Sequence, residues 1–213
     1  MNRKCLILLS YIEHSDDDFV QDLAMNADYI IAADGGQMKA RTFGLRPDCV
    51  IGDFDSTDTD ETFDCLYITY PAEKNLTDTE ACIRHALERG YHDITILGGI
   101  GGRLDHTLGN IAMLLCFTDD ETHIRFIDRK NSMELIRNES IELVRDPDYR
   151  YFALVPVDEK ASGVSISGAK YDLSDAVLSR ASTLGISNEF KEDHVRITVT
   201  DGTLLIVRSS DVN

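Results

Sequence analysis

Six short apolar runs recur along the first 128 residues, and within none of them do apolar and polar positions strictly alternate. They fall at residues 4–10, 29–33, 49–51, 66–69, 93–97 and 124–128. Near-continuous apolarity is what a strand covered on both faces requires, so each run reads as a buried strand. Candidate helices fill the gaps, and strand–helix alternation predicts a mostly parallel sheet of Rossmann-like α/β type. One helix is placed by Thr77 as N-cap with Glu80 three residues on, by Cys82, Ile83, Ala86 and Leu87 at four-residue spacing, and by Gly90 as its stop. A second begins near Asp105 and sets Leu108, Ile111, Ala112 and Leu115 on one face, the face expected to be buried.

From about residue 131 the texture changes. Stretches such as SMELIRN, SIELVRD, YRYFALVPV, GVSISGAKYDL, HVRITVTDG and TLLIVRSS mix β-branched and aromatic residues with alternating polarity, broken by DPDY, DG and SG turns. A run of strands after an αβ alternation predicts a second, all-β sandwich domain. The expected division is therefore 1–130 for the α/β domain and 131–213 for the β domain.

Charge and cysteine usage narrow the partners. The chain has 213 residues, 21 basic against 38 acidic, and a net charge of −17. Such a surface repels nucleic acid and anionic membrane, and no basic block longer than two residues offsets it. It favours a cationic small molecule, but admits a nucleotide only where a metal or a local cation compensates. The five cysteines, Cys5, Cys49, Cys65, Cys82 and Cys116, lie scattered in or beside apolar runs without a C-x-x-C, as buried free thiols of a reducing, cytoplasmic compartment would. The start MNRKCLILLSYIEHSDDD has a short apolar stretch, no small-residue cleavage site and an abrupt acidic end, so it reads as a first strand and not a signal peptide. No stretch approaches the roughly 18 apolar residues that span a bilayer.

Chemistry-bearing residues gather after the predicted strands. In CVIGDFDST, Asp53 and Asp55 project to one side if the backbone stays extended. Two such carboxylates repel unless a cation lies between them, and a hard ion such as Mg²⁺ suits oxygen donors; an acidic capping turn is the plain alternative. The same stretch resembles the opening motif of haloacid-dehalogenase-type phosphatases, with Asp53 in the nucleophile place, although Gly52 fits that motif less well. Asp78 opens the Thr77 helix, as a further metal or phosphate carboxylate or simply as a partner of the helix dipole, with Lys74 nearby as a phosphate contact. Asp34 ends another strand before Gly35 and Gly36.

The segment GGIGGRLDHTLGN fails both common phosphate-loop tests. Gly99 and Gly101 would require Gly at position 104, which is Leu104, and no Gly-Lys-Ser/Thr follows. What remains is four glycines followed by Arg103, Asp105, His106 and Asn110 around a helix start. Arg103 is the local cation that a phosphate would need, and the helix start offers free N–H groups. In an open α/β sheet the carboxyl ends of parallel strands share one edge, where ligands bind, so these loops belong together.

In this order the motifs ADGG (33–36), GDFDS (52–56), KNLTDTE (74–80), GGIGGRLDHTLGN (98–110) and STLGISNEF (182–190) resemble the thiamine pyrophosphokinase family over almost the whole chain. The resemblance implies transfer of a pyrophosphoryl group from ATP to the hydroxyl of thiamine with release of AMP. It also implies an α/β catalytic domain followed by a β-sandwich, and a homodimer with thiamine at the subunit interface. Carried over residue by residue, it gives Asp53, Asp55 and Asp78 as catalytic Mg²⁺ ligands, and Lys74, Arg103, Asp105, His106 and Asn110 as ATP contacts. Asp34, Ser187 and Asn188 would lie near thiamine. Asn75 stands where the family usually has an aspartate, which removes a charge at that position. Beside this reading stand a phosphatase forming an aspartyl phosphate on Asp53 and a non-catalytic thiamine or nucleotide binder.

Overall fold

A computed structural model describes residues 3–54, 63–70 and 76–211. The chain divides at Arg129 and Lys130 into two units. In the first unit the elements run β1 (Lys4–Leu8), α1 (Asp17–Met25), β2 (Tyr29–Ala33), α2 (Gly36–Thr42), β3 (Cys49–Gly52), β4 (Leu66–Thr69), α3 (Asp78–Glu88), β5 (Asp93–Leu97), α4 (Leu104–Phe117) and β6 (His123–Ile127). Their strands lie in the order β6-β5-β1-β2-β3-β4, and every neighbouring pair is parallel. The four central strands carry the apolar runs: Leu6, Ile7, Leu8, Ile31, Ala32, Val50, Ile51, Ile96 and Leu97 are all essentially inaccessible. Burying each large aliphatic side chain contributes about 1.5–3 kcal/mol, so these runs favour strand structure and the interior places of β5, β1, β2 and β3.

The chain runs outward from β1 in two directions. It crosses to β2, β3 and β4 on one side, then returns to β5 and β6 on the other. A crevice between the carboxyl ends of β1 and β5 follows from that reversal. Local chemistry sets where the helices start. Asp16 caps α1 by accepting the Phe19 N–H at 2.9 Å, and Thr77 caps α3 by accepting the Glu80 N–H at 3.1 Å. Only that half of the expected Thr77/Glu80 box forms, because the Glu80 carboxylate takes two bonds from Arg84 at 2.8 and 3.0 Å.

Helix α4 corrects the sequence reading. Its inward residues are Asn110 and Leu114, whereas Leu104 and Leu108 are 70% and 58% exposed, Leu115 and Ala112 are exposed and Ile111 is half-buried. The helix is apolar nearly all round, so periodicity alone could not say which stripe faces the sheet. The thiols also divide: Cys5, Cys49 and Cys82 are buried, Cys65 is intermediate and Cys116 is exposed, all free.

The second unit contains β7 (Asn131–Arg137), β8 (Ser140–Val144), β9 (Tyr151–Pro156), β10 (Lys160–Ser167), β11 (Leu173–Ser179), β12 (Asn188–Glu189), β13 (His194–Thr198) and β14 (Thr203–Ser209). Antiparallel pairing gives the orders β12-β9-β14-β7 and β11-β10-β13-β8. Phe152, Leu154 and Ile206 from the first set share one core with Val164, Leu178, Val195 and Ile197 from the second. Strand β11 was not distinguished in the sequence because Leu178 is its one buried residue. No described helix is long and apolar enough to cross a membrane.

Candidate functional site

The crevice at the carboxyl ends of the parallel strands holds a cavity of about 440 Å³. Asp34 enters it from the end of β2, Asp53 from the end of β3 and Asp78 from the first turn of α3. Arg103, His106 and Asn110 enter from the glycine loop and α4, and Leu9, Ser10 and Tyr11 from the segment after β1. The close approach of the acids has a steric cause. A Cβ on Gly52 would lie 2.8 Å from the Asp34 Cβ and 3.0 Å from its Oδ1, so β3 passes β2 at a distance that no larger residue permits.

Asp34 bears the electrostatic strain. Its backbone is left-handed at φ 39°, a region that Asp and Asn tolerate better than most residues. Burial raises its pKa above the ordinary value of 3.8, and the carboxylates of Asp78 and Asp53 raise it further. Backbone N–H groups of Gly35 and Phe54 oppose the shift. Its Oδ1 is buried without a hydrogen-bond partner among the described residues. An unsatisfied carboxylate oxygen beside two further carboxyl groups is an oxygen-rich environment suited to a hard cation. Among the described residues no three His, Cys, Asp or Glu side chains converge closely enough to hold a metal ion. Asp55, with Lys74 and Asn75, lies outside the described residues.

On the opposite side the glycine loop is fixed from below. Asn110, almost fully buried, donates its amide N–H to the Gly99 carbonyl at 2.8 Å. Its place in the cavity is thus also that of a brace for the loop. Arg103 grips Asp105 through both Nε and Nη2, at 3.1 and 2.6 Å, and the Asp105 Oδ1 also accepts the His106 N–H at 3.0 Å. Both charged side chains are more than half exposed, at 74% and 63%, so the pair contributes little to stability and Arg103 can exchange partners. Asp105 itself does not line the cavity.

The two remaining candidates lie in the second unit. Ser187, left-handed at φ 57°, lines a separate hollow of about 700 Å³ with Tyr151, Glu189 and Asp211. Asn188 is 3% exposed, and its side-chain amide bridges the Tyr171 backbone: Oδ1 accepts the Tyr171 N–H at 3.0 Å and Nδ2 donates to the Tyr171 carbonyl at 2.8 Å. Within the described residues it acts as an internal bracket holding the turn beside Ser187. Sequence reasoning missed Tyr11, which follows β1 in a loop without a motif.

The pKa shift of Asp34 has a thermodynamic consequence. The folded state binds the Asp34 proton more tightly than the unfolded state, so the group lowers stability as pH rises above 3.8. The substitution Asp34→Asn is expected to raise the melting temperature of the metal-free protein, with a gain that is absent below pH 3.8 and grows above it. Melting curves across that range in the presence of a chelator check this, and an unchanged or lowered melting temperature at neutral pH contradicts it.

Comparison with known proteins adds the family. Residues 20–126 match the thiamin pyrophosphokinase catalytic domain, and residues 138–204 match the thiamin pyrophosphokinase vitamin B1 binding domain. Thiamine pyrophosphokinase of Bacillus subtilis is 32% identical over 187 residues, covering 85% of this chain and 87% of the relative. Thiamin pyrophosphokinase 1 of Caenorhabditis elegans is 24% identical, covering 82% and 76%. Among solved structures, thiamine pyrophosphokinase from B. subtilis superposes with a TM-score of 0.87 at 29% identity over 99% of this chain and all of the other. Thiamin pyrophosphokinase from Geobacillus thermodenitrificans superposes with 0.86 at 32% identity over 99% of both. With acids and glycine loop on one sheet edge and a profile match at both units, the chain belongs to the thiamine pyrophosphokinase family.

Proposed function

We propose that this chain is a thiamine diphosphokinase that transfers the terminal pyrophosphoryl group of ATP to the hydroxyl of thiamine, giving thiamine diphosphate and AMP. The observation that carries the reading is the single cavity in which Asp34, Asp53 and Asp78 face the glycine loop and Arg103. The nucleophile is an alcohol already present on thiamine, so no protein nucleophile is needed. The work left to the protein is in-line positioning and neutralisation of phosphate charge. The phosphatase alternative, which makes Asp53 a nucleophile, loses its support to the family match.

Asp53, Asp55 and Asp78 would hold a magnesium ion, with the buried Asp34 Oδ1 alongside. When bound, the ion supplies the positive charge that lets a polyphosphate enter an acidic site. Lys74, Arg103, His106 and Asn110 would contact or frame ATP. Arg103 releases Asp105 at little cost and turns to a phosphate, while Asp105 returns to hold it once AMP has left. Asp78 or Asp55 would accept the hydroxyl proton. The cationic thiamine is drawn by the −17 charge of the chain.

Residues 1–130 would then form the Rossmann-like, ATP-binding catalytic domain, and residues 131–213 the thiamine-binding and dimerisation sandwich. In a cytoplasmic homodimer, Ser187 and the turn held by Asn188 would meet thiamine across the subunit interface, with Asp34 on the other side. The exposed Leu104 and Leu108 of α4, beside Arg103 and His106, are suited to burial in that interface.

Two outcomes are expected. Assays with and without thiamine should yield AMP and thiamine diphosphate in equal amounts only when thiamine and magnesium are present, and Asp78→Ala should reduce the rate by about a hundredfold or more. Formation of ADP, or phosphate release without thiamine, contradicts the reading. In sedimentation the wild type should run as a dimer, and Leu108→Glu as a monomer with a raised KM for thiamine; a monomeric wild type contradicts the dimer proposal.

A further inference from the structure

The aromatic residue Tyr11 lies on the glycine loop and belongs to none of the motifs that define the site. Its position is set by three independent contacts. Its carbonyl accepts the Gly99 N–H at 2.9 Å. Its ring lies directly against Gly102: a Cβ built there would come 2.7 Å from Cζ and 2.9–3.0 Å from the two Cε atoms. Its hydroxyl is close enough to the Glu13 carboxylate for that charge to help raise its pKa, after burial, and Glu13 in turn covers Gly101, where a Cβ would strike the carboxylate. The ring is thus held by backbone at one end, by the glycine loop along its outer half and by Glu13 at its tip, and it is still 43% exposed and lines the cavity. An ordered, partly exposed ring at the wall of a ligand cavity has a chemical use, since its exposed surface is a platform for another planar ring.

The position also selects which planar ring. The acids occupy the β2 and β3 side of the cavity, whereas Tyr11 follows β1 and is bonded to the loop after β5, on the other side of the strand order. A polyphosphate whose far end is directed toward the acids, with Arg103 beside the chain of phosphates, leaves its nucleoside end for the part of the cavity walled by Tyr11. Among the described residues that line the cavity, Tyr11 is the only Phe, Tyr or Trp side chain. We propose that the Tyr11 ring is the stacking platform for the adenine of the nucleotide, making it a determinant of nucleotide affinity held in place by Gly102 and Glu13. Glycine at 102 is then required for a second reason besides its φ of 61°, because any side chain there would displace the ring.

The inference rests on the diphosphokinase reading, and its test separates the two. The chain contains no tryptophan, so Tyr11→Trp introduces a single selectively excitable fluorophore at the proposed platform. In the magnesium-loaded protein, AMP and a non-hydrolysable ATP analogue should quench that emission saturably, while inorganic tripolyphosphate and thiamine should not. In steady-state assays Tyr11→Ala should raise the KM for ATP about tenfold or more, with a much smaller change in the KM for thiamine, and Tyr11→Phe should recover most of the loss. Melting curves of all three variants establish that they are folded. Equal quenching by tripolyphosphate, or a Tyr11→Ala effect confined to thiamine, overturns the role of Tyr11 and leaves the diphosphokinase reading intact. A wild type that makes no thiamine diphosphate overturns that reading instead, whatever the nucleotides do to the fluorescence.

Discussion

The site depends on how closely backbones pass at the edge of the parallel sheet. At Gly52 the end of β3 comes so near Asp34 that even a methyl group would collide, and at Gly36 a Cβ would strike the Leu8 carbonyl. These approaches bring the ends of β1, β2 and β3 within the reach of one ligand. They also bury Asp34 and bring carboxyl groups of like charge together; burial first, and then the charges of Asp78 and Asp53, raise the pKa of Asp34. The stability of the sheet below the site bears that strain: Leu6, Ile7, Ile31, Val50, Ile51 and Ile96 are essentially inaccessible to solvent.

Charge organises the rest. A chain with 38 acidic and 21 basic residues attracts a cation such as thiamine without special provision, but it must make a local exception for a polyphosphate. On the proposed reading, two features make that exception. One is an oxygen-lined corner with an unsatisfied buried carboxylate atom at Asp34. The other is Arg103, parked on Asp105 at the surface, where the pair costs little to break. The loop that carries Arg103 is braced by Asn110 on Gly99 and covered by Tyr11 and Glu13 over its glycines.

Much of this was legible in the sequence because burial on both faces leaves a plain signature. The runs at 29–33, 66–69 and 93–97 are strands with the expected bounds, and the others differ by one or two residues at one or both ends. Thr77 and Gly90 bracket α3 as their chemistry requires: the hydroxyl caps the N-terminus and Gly90 follows the last turn at φ 78°. The acids at 34, 53 and 78, which line one cavity, stand out in the sequence because each follows a strand or opens a helix. Three things were hidden for physical reasons. The inward face of α4 could not be chosen, because apolar residues surround that helix. The bracket made by Asn188 depends on Tyr171, 17 residues away, which no local pattern announces. Tyr11 occupies a loop, where position is set by tertiary contacts and not by periodicity.

The central claim is that the close passage at Gly52 assembles the acids into a working site. Its most direct measurement is the turnover and magnesium-dependent melting of Gly52→Ala. The account predicts a protein that still melts cooperatively, that turns over about a hundredfold more slowly, and whose melting temperature no longer rises with magnesium, since displacing one acid by about an ångström is enough to disrupt in-line transfer. Wild-type turnover with the wild-type magnesium response in that variant would contradict it.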